Sequence, residues 1–128
     1  MGSSPRTAGI GRIGEQIAAR HLERAGLTVV ERNWRCADGA LRGELDIVAV
    51  DGRTLVVCEV KARRRADADD ALEAVTPRKQ RQLRLLATAY AAGLAWRPAD
   101  LRIDVVAVWW PVTGGGAEVL HLRGVGEP

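Results

Sequence analysis

The stretch Gly43–Arg63, GELDIVAVDGRTLVVCEVKAR, constrains this chain more than any other. It reads as two strands joined at Asp51-Gly52, because an Asp-Gly pair between apolar residues is the strongest short-range hairpin signal. Asp46, Glu59 and Lys61 lie inside these otherwise apolar strands. Burying a charge costs several kcal/mol unless it is paired, solvated or engaged with a metal. A fold built on this hairpin therefore has to bring its charges together.

Strand alternation says how. Side chains point to opposite faces in turn, so Glu59 and Lys61 share a face with Leu55 and Val57. Asp46 shares one with Glu44, Val48 and Val50. With Asp51 and Gly52 as a two-residue loop, Val50 faces Arg53 and Asp46 faces Val57, and all three charges converge on one side. Asp46 and Glu59 then become diagonal neighbours, roughly 7–8 Å apart at Cα. Two carboxylates so placed can share a magnesium or manganese ion, and the backbone carbonyl of Val60 offers another oxygen. A hard cation polarises a phosphoryl oxygen and lowers the pKa of bound water. Lys61 is positioned to orient or deprotonate that water and to neutralise charge on the phosphate. The plainer reading of the same residues is a salt-bridged cluster of Asp46, Glu59, Lys61 and Arg63.

At these residues the sequence resembles a known family. GELD, a hairpin and then CEVKAR is similar to the signature of YraN-like proteins, predicted endonucleases of the PD-(D/E)xK superfamily that are distantly similar to archaeal Holliday-junction resolvases. The resemblance extends to the Gly11–Glu15 opening of the first helix, the segment holding Asn33, the helix holding Lys79 and the strand Arg102-Ile103-Asp104-Val105-Val106. Leu45 stands where the superfamily's name places a proline. The resemblance implies an α/β domain with a mixed central sheet flanked by helices, the restriction-endonuclease-like core. It also implies that Asp46 and Glu59 hold the metal, that Lys61 serves the reaction and that Glu15 assists. Resolvase-like enzymes act on two strands as dimers, which makes a homodimer the expectation by analogy.

The remaining chain fits one domain over residues 10–123, with a lead-in at 1–9 and a tail at 124–128. Gly9-Ile10-Gly11-Arg12-Ile13-Gly14 matches GxGxxG, but no strand precedes it, so it is rejected as a dinucleotide site. From about Gly11 to Ala25 the spacing is helical. Glu15, Ala18, Ala19 and Leu22 share one stripe, which leaves Glu15 two roles: pairing with Arg12 or Arg20, or reaching the site on the sheet. Leu27–Trp34 reads as a strand and residues 35–42 as a turn-rich connection. Thr76-Pro77 is a helix start, with Thr as cap and Pro first in the helix, and Gly93 ends that helix. Leu101–Trp110 and Glu118–Leu122 read as strands, and Asp104 as an acid paired with an arginine such as Arg102. The segment after Lys61 mixes Arg63-Arg64-Arg65 with Asp67, Asp69 and Asp70.

Of 19 cations, 17 are arginine, and the net charge of +3 suits a polyanion partner without requiring one. Arg63, Lys79 and Arg42 are the candidate contacts to nucleic acid, with DNA the expected form. The two cysteines form no CxxC pair and cannot by themselves build a zinc site. No apolar run is long enough to span a membrane, and the expected location is the cytoplasm. Three functions remain open: a magnesium-dependent endonuclease, a non-catalytic nucleic-acid-binding module on the same fold, and a structural or interaction protein.

Overall fold

The computed structural model describes residues 5–64 and 75–126, with side chains from residue 9 onward. The acidic run from Asp67 to Asp70 lies outside the described residues. Five strands form one mixed sheet: β1 (Thr28–Asp38), β2 (Leu41–Asp51), β3 (Thr54–Arg63), β4 (Asp100–Trp109) and β5 (Glu118–Leu122). Their spatial order follows the chain, and every neighbouring pair is antiparallel except β3 and β4, which run parallel. A parallel pair needs a crossover, and helix α2 (Pro77–Ala92) supplies it. Helix α1 (Pro5–Arg24) covers the other face. This is the expected single α/β domain, with a mixed sheet flanked by helices and consistent with a restriction-endonuclease-like core.

Two apolar layers hold the sheet. Ala18, Ala19 and Leu22 of α1 pack on Ile47, Ala49, Val56, Cys58, Val106 and Val108. Leu83, Leu86 and Ala87 of α2 pack on Leu45, Val48, Leu55, Val57 and Ile103. Burial pushes the Cys58 thiol up, so it is an unreactive core side chain. The Thr76 side chain caps α2 by accepting the N–H of Lys79 at 3.2 Å, and Gly93 follows its last turn.

Several boundaries differ from the sequence reading. Helix α1 begins at Pro5 rather than near Gly11, in keeping with proline's preference for the first helical position. Residues 35–38 continue β1 instead of forming a connection, and the turn falls at Gly39-Ala40. Gly124 and Val125, read as tail, donate their N–H groups to Asp104 and to the Ile103 carbonyl. The central hairpin also turns one residue later than expected: Asp51 pairs with Thr54 around Gly52-Arg53. Gly52 takes φ of 62°, which glycine adopts without cost. The later turn moves each partner by two residues, so the ladder ends at Ile47↔Cys58 and the next position sets Asp46 opposite Glu59, not Val57.

Candidate metal centre

Asp46 sits where the sheet is least regular. Leu45 and Ile47, two residues apart, belong to opposite core layers, so alternation breaks at Asp46. On the neighbouring strand, the pairs Arg32↔Ile47 and Trp34↔Leu45 bracket Asn33, whose φ of 54° is left-handed. On the other side, β2 stops pairing with β3, and the Val60 N–H donates instead to Asp46 Oδ2 at 2.9 Å. The carboxylate fills the gap left by the missing ladder bond. Rare backbone states of this kind persist where surrounding structure enforces them, and they cluster at functional sites.

This break corrects the one-face geometry read from alternation. Glu59 is buried toward α2, where Lys79 Nζ stands 3.3 Å from its Oε2. Glu15 and Glu44 approach Asp46 from the α1 side, and one carboxylate oxygen of each of the three lies within 4.8 Å of the others. Asp46 joins the two sides, since its carboxylate also meets that of Glu59. Burial, followed by the contact with Glu59 and its charge, pushes the Asp46 carboxyl up to about 8 against the pull of the Val60 N–H. Burial likewise raises Glu15, opposed by Asn33 and Arg32. Carboxylates facing each other need a proton or a cation between them.

Two residues place Glu15. A Cβ at Gly14 would lie 2.6 Å from the Ala62 Cβ, so a glycine there lets α1 press directly on β3. With its amide nitrogen turned toward the acids, as its neighbours require, Asn33 donates to both oxygens of Glu15 at 3.2 Å and to Glu44 Oε1 at 3.1 Å. Arg35 meets Glu44 from the exposed side at 3.2 Å.

The centre opens into a cavity of about 450 Å³ lined by Glu15, Asp46, Val60, Lys61, Arg63 and Arg64, among others. Glu15, Asp46, Val60, Lys61 and Arg63 from the sequence reading are thus brought together. Lys79 reaches the centre only through Glu59. Arg42 is exposed on β2 outside the cavity lining, with its carbonyl accepting from Gln82 at 2.9 Å.

The donor set suits a hard divalent cation. Three half-buried carboxylates offer oxygen ligands of the type magnesium and manganese prefer. Glu59 Oε2 is buried and, among the described residues, makes no hydrogen bond, with Lys79 Nζ 3.3 Å away.

Residues 14–108 match the model of the uncharacterised protein family UPF0102. The chain belongs to this family. A UPF0102 protein of Kineococcus radiotolerans is 50% identical over 91% of this chain and 92% of its own length. One from Beutenbergia cavernae is 51% identical over 91% and 95%, and one from Streptomyces coelicolor 49% over 91% and 87%. The YraN-like resemblance is therefore sound at the level of the family. The matched span runs from Gly14 to Val108 and contains all four carboxylates, Asn33, Lys61 and Lys79.

Sequence reasoning missed three residues of the centre. Glu44 had a signal, since it stands two residues before Asp46 in GELD. Gly14 and Asn33 had none beyond their place in the family resemblance. Their roles depend on a close helix contact and a left-handed residue, and neither has a spacing.

A second charged cluster is centred on Asp104 of β4, paired in register with Cys58. Asp104 is fully buried and accepts from Arg102 Nε and Nη2 at 2.9 and 3.1 Å and from the Gly124 N–H at 3.0 Å. His121 Nε2 stands 2.8 Å away, and Arg102 also reaches Asp51 at 3.0 Å. The expected Asp104–Arg102 pair is present, and the acid's needs are met structurally. Among the described residues, no helix is long and apolar enough to cross a membrane.

Proposed function

We propose that this domain hydrolyses phosphodiester bonds in DNA as a magnesium- or manganese-dependent endonuclease of the PD-(D/E)xK type. The observation that carries the reading is the cluster of Glu15, Glu44 and Asp46, of which Glu15 and Asp46 line a cavity together with Lys61, Arg63 and Arg64. Acids alone would hold a cation, and cations alone would hold a phosphate. Their juxtaposition suits a metal–phosphate substrate.

Asp46, Glu15 and Glu44 would hold the metal, with Glu59 as an added oxygen. Once bound, the ion supplies Lewis-acid activation of a phosphoryl oxygen and a more acidic water. The protein's own residues do the rest. Lys61 orients the attacking water and neutralises charge that grows on the phosphate. Arg63 and Arg64 position the strand through its backbone. Lys79 holds Glu59 in place with a charge matched to its burial.

The test incubates the protein with branched, flapped, single-stranded and plain duplex DNA in magnesium or manganese, beside Glu59→Ala and Lys61→Ala. Cutting by the wild type that both variants lose supports the proposal. Cutting that both variants retain assigns the activity to a contaminant. Salt-dependent binding without cutting assigns the domain to the non-catalytic module.

A further inference from the structure

We propose that Trp110 and Arg64 form a stacking shelf beside the metal centre, and that the shelf takes one unpaired nucleotide of the DNA strand. The inference rests on the nuclease reading for the identity of the polymer, and on separate residues for the site.

The parallel pairing of β3 and β4 creates the shelf. Both strands leave the sheet in the same direction, with Arg63 opposite Trp109. The next residues, Arg64 and Trp110, therefore emerge side by side, just beyond Lys61. Ligands of parallel strands are bound beyond their carboxyl ends for the same reason. Trp110 is half-buried against the α1 layer and keeps part of its ring exposed.

Three hollows adjoin here through shared lining residues. The metal cavity shares Ile10 and Arg64 with a hollow of about 350 Å³, whose other walls are Ile13 and Trp110. That hollow shares Arg64 and Trp110 with one of about 260 Å³ closed by Pro111 and Val112. Ile13 is 49% exposed and Val112 76% exposed, so the trough presents apolar surface to water beside a strongly charged centre.

Charge and shape select the occupant. Lys61, Arg63 and Arg64 form a cationic wall that follows a phosphate backbone. The indole and the two isoleucines form an apolar floor that fits the face of a base. Paired bases in a duplex present only their edges, so an unpaired base is the part of DNA that can use the floor. Stacking on an aromatic ring is tolerant of sequence, which makes the shelf a reader of strand structure.

The experiment measures binding of a blunt duplex and of the same duplex with a single-stranded overhang, in calcium. The overhang carries 2-aminopurine, whose fluorescence responds to stacking. Wild type is compared with Trp110→Leu, which keeps the apolar packing, and Trp110→Phe, which keeps a ring. Cleavage of both duplexes in magnesium is read in parallel. The expected result is tighter binding of the overhang by wild type and Trp110→Phe, with Trp110→Leu losing about tenfold of that preference and the 2-aminopurine response. Equal binding of overhang and blunt duplex by wild type overturns the shelf, as does an unchanged preference in Trp110→Leu. A preference lost in Trp110→Leu with no cleavage by wild type keeps the shelf and overturns the hydrolysis reading. Cleavage with a preference indifferent to Trp110 does the reverse.

Discussion

Asp46 accepts the Val60 N–H at 2.9 Å and so takes the place of the main-chain partner that β2 no longer offers to β3. One side chain both mends the broken ladder and joins the acids on the two faces of the sheet. The same contact exposes Asp46 to Glu59, and burial, together with the charge of Glu59, pushes the Asp46 carboxyl up.

Asp46→Asn should therefore stabilise the metal-free protein while abolishing metal binding. The amide still accepts the Val60 N–H and removes one of two facing charges. The acid's folded pKa is raised to about 8, above an unfolded value of about 3.9. Its contribution to stability is full at low pH and is lost as pH rises through this window. Thermal unfolding in EDTA should show a gain of about 0.5–2 kcal/mol for the variant near pH 8, shrinking toward pH 5. Titration calorimetry should show magnesium and manganese binding lost. A variant less stable than wild type at pH 8 would remove the repulsion argument.

Gly14→Ala should move α1 away from β3, because its methyl would meet Ala62. The expected cost is about 1–3 kcal/mol, typical of overpacking, together with weaker metal binding as Glu15 withdraws. Gly9→Ala is the control, since nothing lies within 4 Å of its Cβ position. That change should stabilise the helix by about 0.5–1 kcal/mol. Denaturant unfolding and metal titration on both variants separate packing from propensity.

Asn33→Gly should preserve the fold and weaken the metal. Glycine accepts the left-handed φ of 54° but cannot donate to Glu15 and Glu44. Loss of a group that orients ligands lowers metal affinity by about 10–100-fold, with little change in unfolding. Asn33→Asp adds a further carboxylate, so its stability should fall in EDTA and recover in magnesium. Equal metal affinity in Asn33→Gly and wild type would show that Asn33 does not orient the acids.

Asp104 should make the fold sensitive to acid. Burial pushes its carboxyl up, but His121, Arg102 and the Gly124 N–H together hold it below its usual range. A lowered pKa contributes stability that is present above the unfolded value and is lost as pH falls through the folded one. The stability difference between wild type and Asp104→Asn should thus narrow on acidification below about pH 4. At neutral pH the variant should lose about 3–5 kcal/mol, because Arg102 is left without its buried partner. Urea unfolding from pH 2 to pH 7 measures the difference directly.

The sequence by itself determined the elements and the chemical kind of the centre. Apolar alternation, Asp51-Gly52 and Thr76-Pro77 are local signals, and they placed the strands, the hairpin and α2 to within a few residues. The misfit of Asp46, Glu59 and Lys61 with apolar strands marked the site, because burying charge is costly anywhere in any fold. Only the tertiary structure decided which carboxylates meet. Alternation assumes a regular strand, and β2 is irregular at Asp46, so Glu59 went to the α2 side while Glu15 and Glu44 came to Asp46 from the other. That arrangement depends on Gly14 against Ala62 and on left-handed Asn33, contacts between segments far apart in the chain. Such contacts follow from packing three elements at once, and no periodicity within one segment encodes them.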